Sequence, residues 1–207
     1  MTMNASLDVV AGARAGMTDD PTRHDGVTMT LHWLTALLVL AQFAVPELWG
    51  FAPRPIKHLM IVTHLSLGVV LTSVLALRIF WRLASGRRMA RAAMGRITAV
   101  SKAMHLALYG LLGTETVLGF PLRWSGHRPI SFFGLPIPSP FAPMPISAHR
   151  LMGSIHGRIA WAIVLLAAAH ALTALFHHFV LRDDVLSRML PGRRACLPAA
   201  DRRRPVF

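Results

Sequence analysis

The sequence predicts an all-α integral membrane protein, a bundle of four transmembrane helices with both termini in the cytoplasm. Three observations predict this fold: the composition, four long apolar stretches, and the placement of the basic residues. Of the 207 residues, 54% are apolar and only 15% are charged. Soluble domains average about 25% charged residues, so the composition indicates a lipid surround and excludes a disordered chain.

The four apolar stretches cover about residues 28–45, 59–80, 103–121 and 155–181. A helix needs about 20 predominantly apolar residues to cross a hydrocarbon core of about 30 Å, so each stretch is a candidate span. A soluble bundle of four buried helices is the alternative. Apolar residues surround each stretch on all sides instead of forming one stripe, which favours the membrane interpretation. The bundle domain is expected over residues 28–190.

The basic residues set the predicted orientation. The formal net charge is +13, and two regions hold most of the excess. They are the loop with Arg82, Arg87, Arg88, Arg91, Arg96 and Lys102, and the C-terminal region with Arg182, Arg188, Arg193, Arg194, Arg202, Arg203 and Arg204. By the positive-inside rule both regions are cytoplasmic. Residues 1–27 are expected to form a disordered cytoplasmic leader, and residues 191–207 a basic tail near anionic lipid headgroups instead of a nucleic-acid-binding segment.

The third loop, residues 122–154, is rich in proline and phenylalanine. Proline removes a backbone donor and blocks the preceding helical turn, so this loop is predicted to be non-helical. We expect it to fold back as a cap over the outer helix ends, with Trp124 near the membrane interface.

The histidines carry the candidate chemistry, because the single cysteine, Cys196, excludes a disulfide and a thiolate-bound cluster. Ionisable groups inside a membrane segment indicate function. The helix directions sort the five histidines of the apolar stretches by depth: His32, His105 and His170 toward the cytoplasm, and His64 and His156 toward the outside.

The spacing of His156 and His170 predicts two separate sites. Fourteen helical residues give a rise of about 21 Å and return the side chain to within about 40° of its first direction. The two rings therefore share one helix face at two depths, too far apart to bind one ion. Haem b accepts an axial imidazole from each of two helices. Depth pairs His64 with His156 on an outer haem, and His170 with either His32 or His105 on an inner one.

Three charged residues complete the predicted sites. Arg78 follows His64 by fourteen residues, so it returns to the same face at the inner depth, where it could pair with a haem propionate. Arg158 could serve an outer propionate. Glu115 lies in the middle of the third stretch and needs a partner. It is either neutral and hydrogen-bonded to backbone or threonine, or it passes protons.

Four strings resemble a known family. They are LHWLTALLVL from Leu31, HLSLGVVLTSVLALRIFWRL from His64, HLALYGLLGTETVLGF from His105, and the segment from Ser154 to Gly192 with its paired histidines. Over about residues 28–192 the chain resembles the bacterial cytochrome b561 family of four-helix dihaem membrane proteins. The resemblance implies axial ligation by His32 with His170 and by His64 with His156. It also implies a place in the bacterial inner membrane and electron exchange with ubiquinone. Glu115 stands where members of that family usually have an apolar residue.

The outer loops suggest the electron donor. They hold Arg54, Lys57, Arg123, Arg128 and Arg150 against Glu47. Such a basic mouth attracts small anions, so the first hypothesis is oxidation of superoxide or another small reductant outside, with electrons passed to ubiquinone. The second hypothesis is a cytochrome b subunit of a larger quinol-linked reductase or hydrogenase-type complex, which docks a protein donor. The third is a haem-free, histidine-lined metal carrier.

Overall fold

The protein is mostly helical in a computed structural model that describes residues 26–85, 96–126, 128–142 and 144–182, together with Leu186 and Met189. Four long helices, α1 (Gly26–Trp49), α2 (Arg54–Ser85), α3 (Arg96–Ser125) and α4 (Ile146–Phe176), follow one another along the chain. Two short strands, β1 (Ile130–Phe132) and β2 (Leu135–Ile137), separate α3 from α4, and a π-helical turn, His177–Leu181, extends α4. Nearly all of the predicted leader, the tail and most of the basic inner loop lie outside the described residues.

Within the described residues, three helices are long and apolar enough to cross a membrane: Gly26–Trp49, Arg54–Ala84 and Ile146–Leu181. In the most apolar window of the span Ile146–Leu181, only 6% of residues are buried inside the protein. Large apolar side chains such as Leu37 and Leu165 are therefore exposed along the helices. Soluble proteins rarely expose contiguous apolar surface of this extent, so these helices have the surface expected of membrane spans.

The helices pack as two hairpins. α1 lies mainly against α2, and α3 mainly against α4, with smaller contacts between α2 and α3. A small aliphatic core of Leu75, Leu112 and Ile163 joins α2, α3 and α4 at their centre. Ile163 is seven residues from both His156 and His170. The aliphatic core therefore lies between the two histidine levels.

The predicted boundaries of the third loop were wrong. α3 continues through Pro121 to Ser125, and α4 begins at Ile146 instead of near residue 155. Proline is tolerated within such helices when neighbouring groups satisfy the freed carbonyl. Pro145 immediately precedes α4 with an extended ψ of 146°, a position where a missing N–H removes no helical hydrogen bond. No proline lies between Pro145 and Pro191, so nothing of this kind interrupts the helix that begins at Ile146.

A β-hairpin occupies the centre of that loop. Ile130 pairs with Ile137 and Phe132 with Leu135 in antiparallel register. The turn residues Phe133 and Gly134 have φ values of 47° and 94°. Positive φ at both central positions is typical of the tight turns that match the twist of paired strands.

Hydrogen bonds fasten the hairpin to the helices. Ser66 of α2 is fully buried, and its Oγ accepts the Phe133 N–H at 2.8 Å and lies 3.2 Å from the Ser131 carbonyl. Trp124 of α3 packs against Phe141 and directs Nε1 to the Ile137 carbonyl at 3.5 Å. The hairpin is therefore fastened to α2 two residues after His64 and to the last turn of α3.

Candidate cofactor-binding site

A cavity of about 1180 Å³ lies between the four helices on the side of the β-hairpin. Its wall includes Gln42 from α1, His64 from α2, Glu115 from α3 and His156 from α4. Pockets for small ligands measure about 300–1,000 Å³. The cavity is therefore large enough for a bulky cofactor, and it brings two of the predicted ligands together.

The rings of His64 and His156 face each other across the bundle. Their centroids are 6.5 Å apart, and their planes are inclined by 84°. A metal ion held between two imidazole nitrogens lies about 2 Å from each, which places the ring centres about 6 Å apart. The observed separation therefore accommodates one ion between the rings.

The surroundings of the Nδ1 atoms of His64 and His156 are also compatible with metal binding through Nε2. Nδ1 of each ring is buried without a hydrogen-bond partner among the described residues. The main-chain carbonyl of Gln42 adjoins His64, and Oε1 of Glu115 lies 3.1 Å from Nδ1 of His156. Histidines that bind metals usually direct their second nitrogen to such oxygens. The donor set and the cavity thus fit a haem with His64 and His156 as axial ligands.

Glycines keep the cavity open. A Cβ at Gly119 would lie 3.6 Å from Cε1 of His156, and one at Gly68 would lie 2.9 Å from Nε2 of Gln42. Gly157 also lines the cavity, and a Cβ there would meet nothing within 4 Å. A side chain at Gly68 would therefore displace the amide of Gln42, whereas a Cβ at Gly119 would make an ordinary van der Waals contact with the His156 ring.

The cavity opens near a basic surface. Arg123, Arg128 and Arg158 line it. Arg123 donates from Nε to the Pro129 carbonyl at 3.1 Å, while Arg128 and Arg158 are exposed. Arg158 therefore lies at the same cavity as His64 and His156.

The inner level contains a different set of contacts. Nη2 of Arg78 lies 2.9 Å from Nδ1 of His32. The guanidinium of Arg78 also lies over the Tyr109 ring, 5.2 Å from its centroid. The rings of His105 and His170 have centroids 5.3 Å apart. The structure thus brings His170 to His105, the alternative that the sequence left open, in a direct ring contact shorter than the separation across the outer pair.

The bond between Arg78 and His32 determines which nitrogen carries the proton. Arginine only donates hydrogen bonds, so Nδ1 of His32 accepts, and the proton of a neutral ring lies on Nε2. Ligation through Nε2 requires the opposite tautomer, with the proton on Nδ1. Metal binding by His32 would therefore release Arg78 and leave its guanidinium available to a carboxylate.

Two groups at the site were not singled out from the sequence. Gln42 places a buried Oε1, without a hydrogen-bond partner among the described residues, at the cavity. Tyr109 lies beneath both Arg78 and Arg82. The rule that identified Glu115, a polar side chain within an apolar stretch, also applies to Gln42. Within the described part of the chain, no group of three or more histidine, cysteine or acidic side chains could hold a metal ion.

The chain is similar to one known protein family and to several bacterial proteins. A family described as prokaryotic cytochrome b561 matches residues 23–192. The chain is 34% identical over 180 residues to cytochrome b561 homolog 2 of Escherichia coli strain K12, covering 84% of this chain and 94% of the relative. It is 30% identical over 168 residues to cytochrome b561 homolog 1 of the same organism, covering 79% and 94%. A probable superoxide oxidase of Yersinia pestis is 29% identical over 165 residues, covering 79% and 93%.

Proposed function

Because the chain belongs to the prokaryotic cytochrome b561 family, whose members are haem b membrane proteins of electron transport, we propose that it carries electrons across the bacterial inner membrane. The electrons pass from a small donor outside to ubiquinone, through two haem b groups. The observation that carries this proposal is the pair of facing rings, His64 and His156, 6.5 Å apart at a large cavity.

Two histidines would hold each haem: His64 and His156 the outer haem, and His32 and His170 the inner one. Haem b would supply one-electron exchange at its iron, and two histidine ligands would leave no coordination position for dioxygen. Arg158 serves an outer propionate. Arg78 serves an inner one, since ligation by His32 would release its guanidinium.

The fourth membrane span belongs to the same proposal. α3 is the least apolar of the four helices and includes Lys102, Glu115 and Arg123. It nevertheless packs along α4 and exposes Leu106 and Val117, by 75% and 67%. An α3 that spans the bilayer gives four crossings, which place both termini on the cytoplasmic side, as the positive-inside rule requires.

Superoxide is the donor that the outer surface fits best. Arg123 and Arg128 line the cavity, and Arg54, Lys57 and Arg150 are exposed in the residues that flank it. A basic opening raises the local concentration of a small anion and its encounter rate. Two superoxide ions give up two electrons and become two dioxygen molecules, and ubiquinone takes those two electrons with two protons to become the quinol.

The test is stopped-flow mixing of the purified, haem-loaded protein with superoxide. We expect rapid haem reduction whose rate falls as salt screens the basic residues. The double variant Arg128→Gln, Arg150→Gln should react about tenfold more slowly at low salt and depend less on salt.

Lys102→Gln is the matched control, since Lys102 is an exposed cation at the opposite end of α3. This variant should behave as the wild type does. Absence of haem reduction by superoxide, or a rate that neither salt nor the double substitution changes, contradicts superoxide as the donor.

A further inference from the structure

Glu115 places a carboxyl group inside the bundle, beside one of the proposed axial ligands. Its Oε1 lies 3.1 Å from Nδ1 of His156, and both side chains line the outer cavity. Nδ1 of His156 and Oε2 of Glu115 are both buried without a hydrogen-bond partner among the described residues. His156 is therefore the polar side chain to which the structure brings this carboxyl.

The neighbouring threonines do not take this role. Thr114 donates to the Gly110 carbonyl at 2.9 Å, and Thr116 donates to the Gly113 carbonyl at 3.1 Å. Both hydroxyl groups are thus engaged with the backbone of their own helix. Of the partners that the sequence suggested for Glu115, a threonine hydroxyl is not the one observed.

The two outer histidines have unequal surroundings. Nδ1 of His156 faces a carboxyl, whereas His64 adjoins the neutral main-chain carbonyl of Gln42. When a histidine binds a metal through Nε2, its Nδ1 carries the proton and donates it to a nearby oxygen. Such an oxygen fixes the tautomer and the orientation of the ring, and it makes the imidazole a stronger ligand.

We propose that Glu115 is a positioning residue for His156: a carboxyl oxygen accepts the Nδ1–H bond, holds the ring plane and strengthens its donation to the outer haem iron. Stronger donation favours the ferric state, so Glu115 lowers the midpoint potential of the outer haem relative to the inner one. Electrons entering from outside then move toward the haem of higher potential. The inference rests on the proposed ligation by His156.

Spectroelectrochemical titration of the haem-loaded protein tests this inference. The outer haem is identified as the one that His156→Ala removes. In Glu115→Leu we expect its midpoint potential to rise while that of the inner haem stays unchanged. Loss of such a partner changes metal binding about 10-fold or more, and a tenfold change in the ferric-to-ferrous preference corresponds to about 59 mV for one electron.

Two further variants complete the experiment. Glu115→Gln keeps an acceptor oxygen, so its outer midpoint should lie between those of the wild type and Glu115→Leu. It also carries the test if Glu115→Leu fails to retain the outer haem. Thr114→Val, at an exposed neighbour on α3, should leave both midpoints unchanged.

The outcomes separate this inference from the proposed function. Two haems per chain with both midpoints unmoved in the Glu115 variants overturn the inference alone. Equal shifts of the two midpoint potentials overturn it too, because they indicate an electrostatic effect on both haems instead of a specific effect on His156. A wild-type protein that binds no haem overturns both.

Discussion

At the scale of single residues, the inner level contains a choice of ligand. His170 packs against the ring of His105, while His32 is held by Arg78. The proposed ligand is His32, the histidine that the family resemblance pairs with His170, and its ligation would release Arg78 toward a propionate. His105 then acts as a packing partner of His170.

Alanine substitutions distinguish the two inner pairings. We expect His32→Ala to lose one component of the split α band in the dithionite-reduced spectrum, because one axial ligand is removed. His105→Ala, the matched variant on α3, should retain both components. Retention of both in His32→Ala together with loss of one in His105→Ala would assign the inner haem to His105 and His170.

Spacing along a helix predicted which residues share a face, but not what each would meet on another helix. The fourteen-residue intervals from His156 to His170 and from His64 to Arg78 follow from helical geometry alone. The contact between Glu115 and His156 depends on how α3 and α4 are rotated against each other. Single-helix periodicity carries no information on that rotation, so the partner of Glu115 had to come from the structure.

At the scale of elements, hydropathy located all four helices. Treating proline as a helix breaker gave the wrong end for α3 and the wrong start for α4. An apolar stretch marks a whole helix, because every side chain that faces the hydrocarbon core must be compatible with lipid. The ends of α3 and α4 depend instead on whether a particular proline stands where a missing N–H matters, as at Pro121 and Pro145. The β-hairpin has three-residue strands, and β2 is exposed throughout, so it lacks the alternation that identifies strands in a sequence.

Ser66 should control how tightly the hairpin closes over the cavity. Ser66→Ala removes the acceptor of the Phe133 N–H, and an unmet hydrogen bond of this kind costs about 1–3 kcal/mol. We expect hydrogen–deuterium exchange of the hairpin amides to accelerate about 10-fold or more.

Ser73→Ala is the control, because Ser73 makes the same bond to its own helix, to the Val69 carbonyl, at an exposed position. Equal hairpin exchange rates in the two variants would show that Ser66 does not fasten the hairpin.

At the scale of the whole molecule, the bundle has two polar levels separated by an aliphatic core. The level near the β-hairpin contains His64, Glu115 and His156, and the other level contains His32, Arg78 and His170 with their neighbours. Leu75, Leu112 and Ile163 lie between them and hold the helices together. Such an arrangement would keep the two proposed haems apart and exclude water from the space between them.

Haem content per polypeptide tests this arrangement most directly. A pyridine haemochrome assay on the purified wild-type protein should give two haem b per chain, and His156→Ala and His170→Ala should each give one. A colourless wild-type chain, a single haem per chain, or variants that both retain two haems would contradict the two-level account.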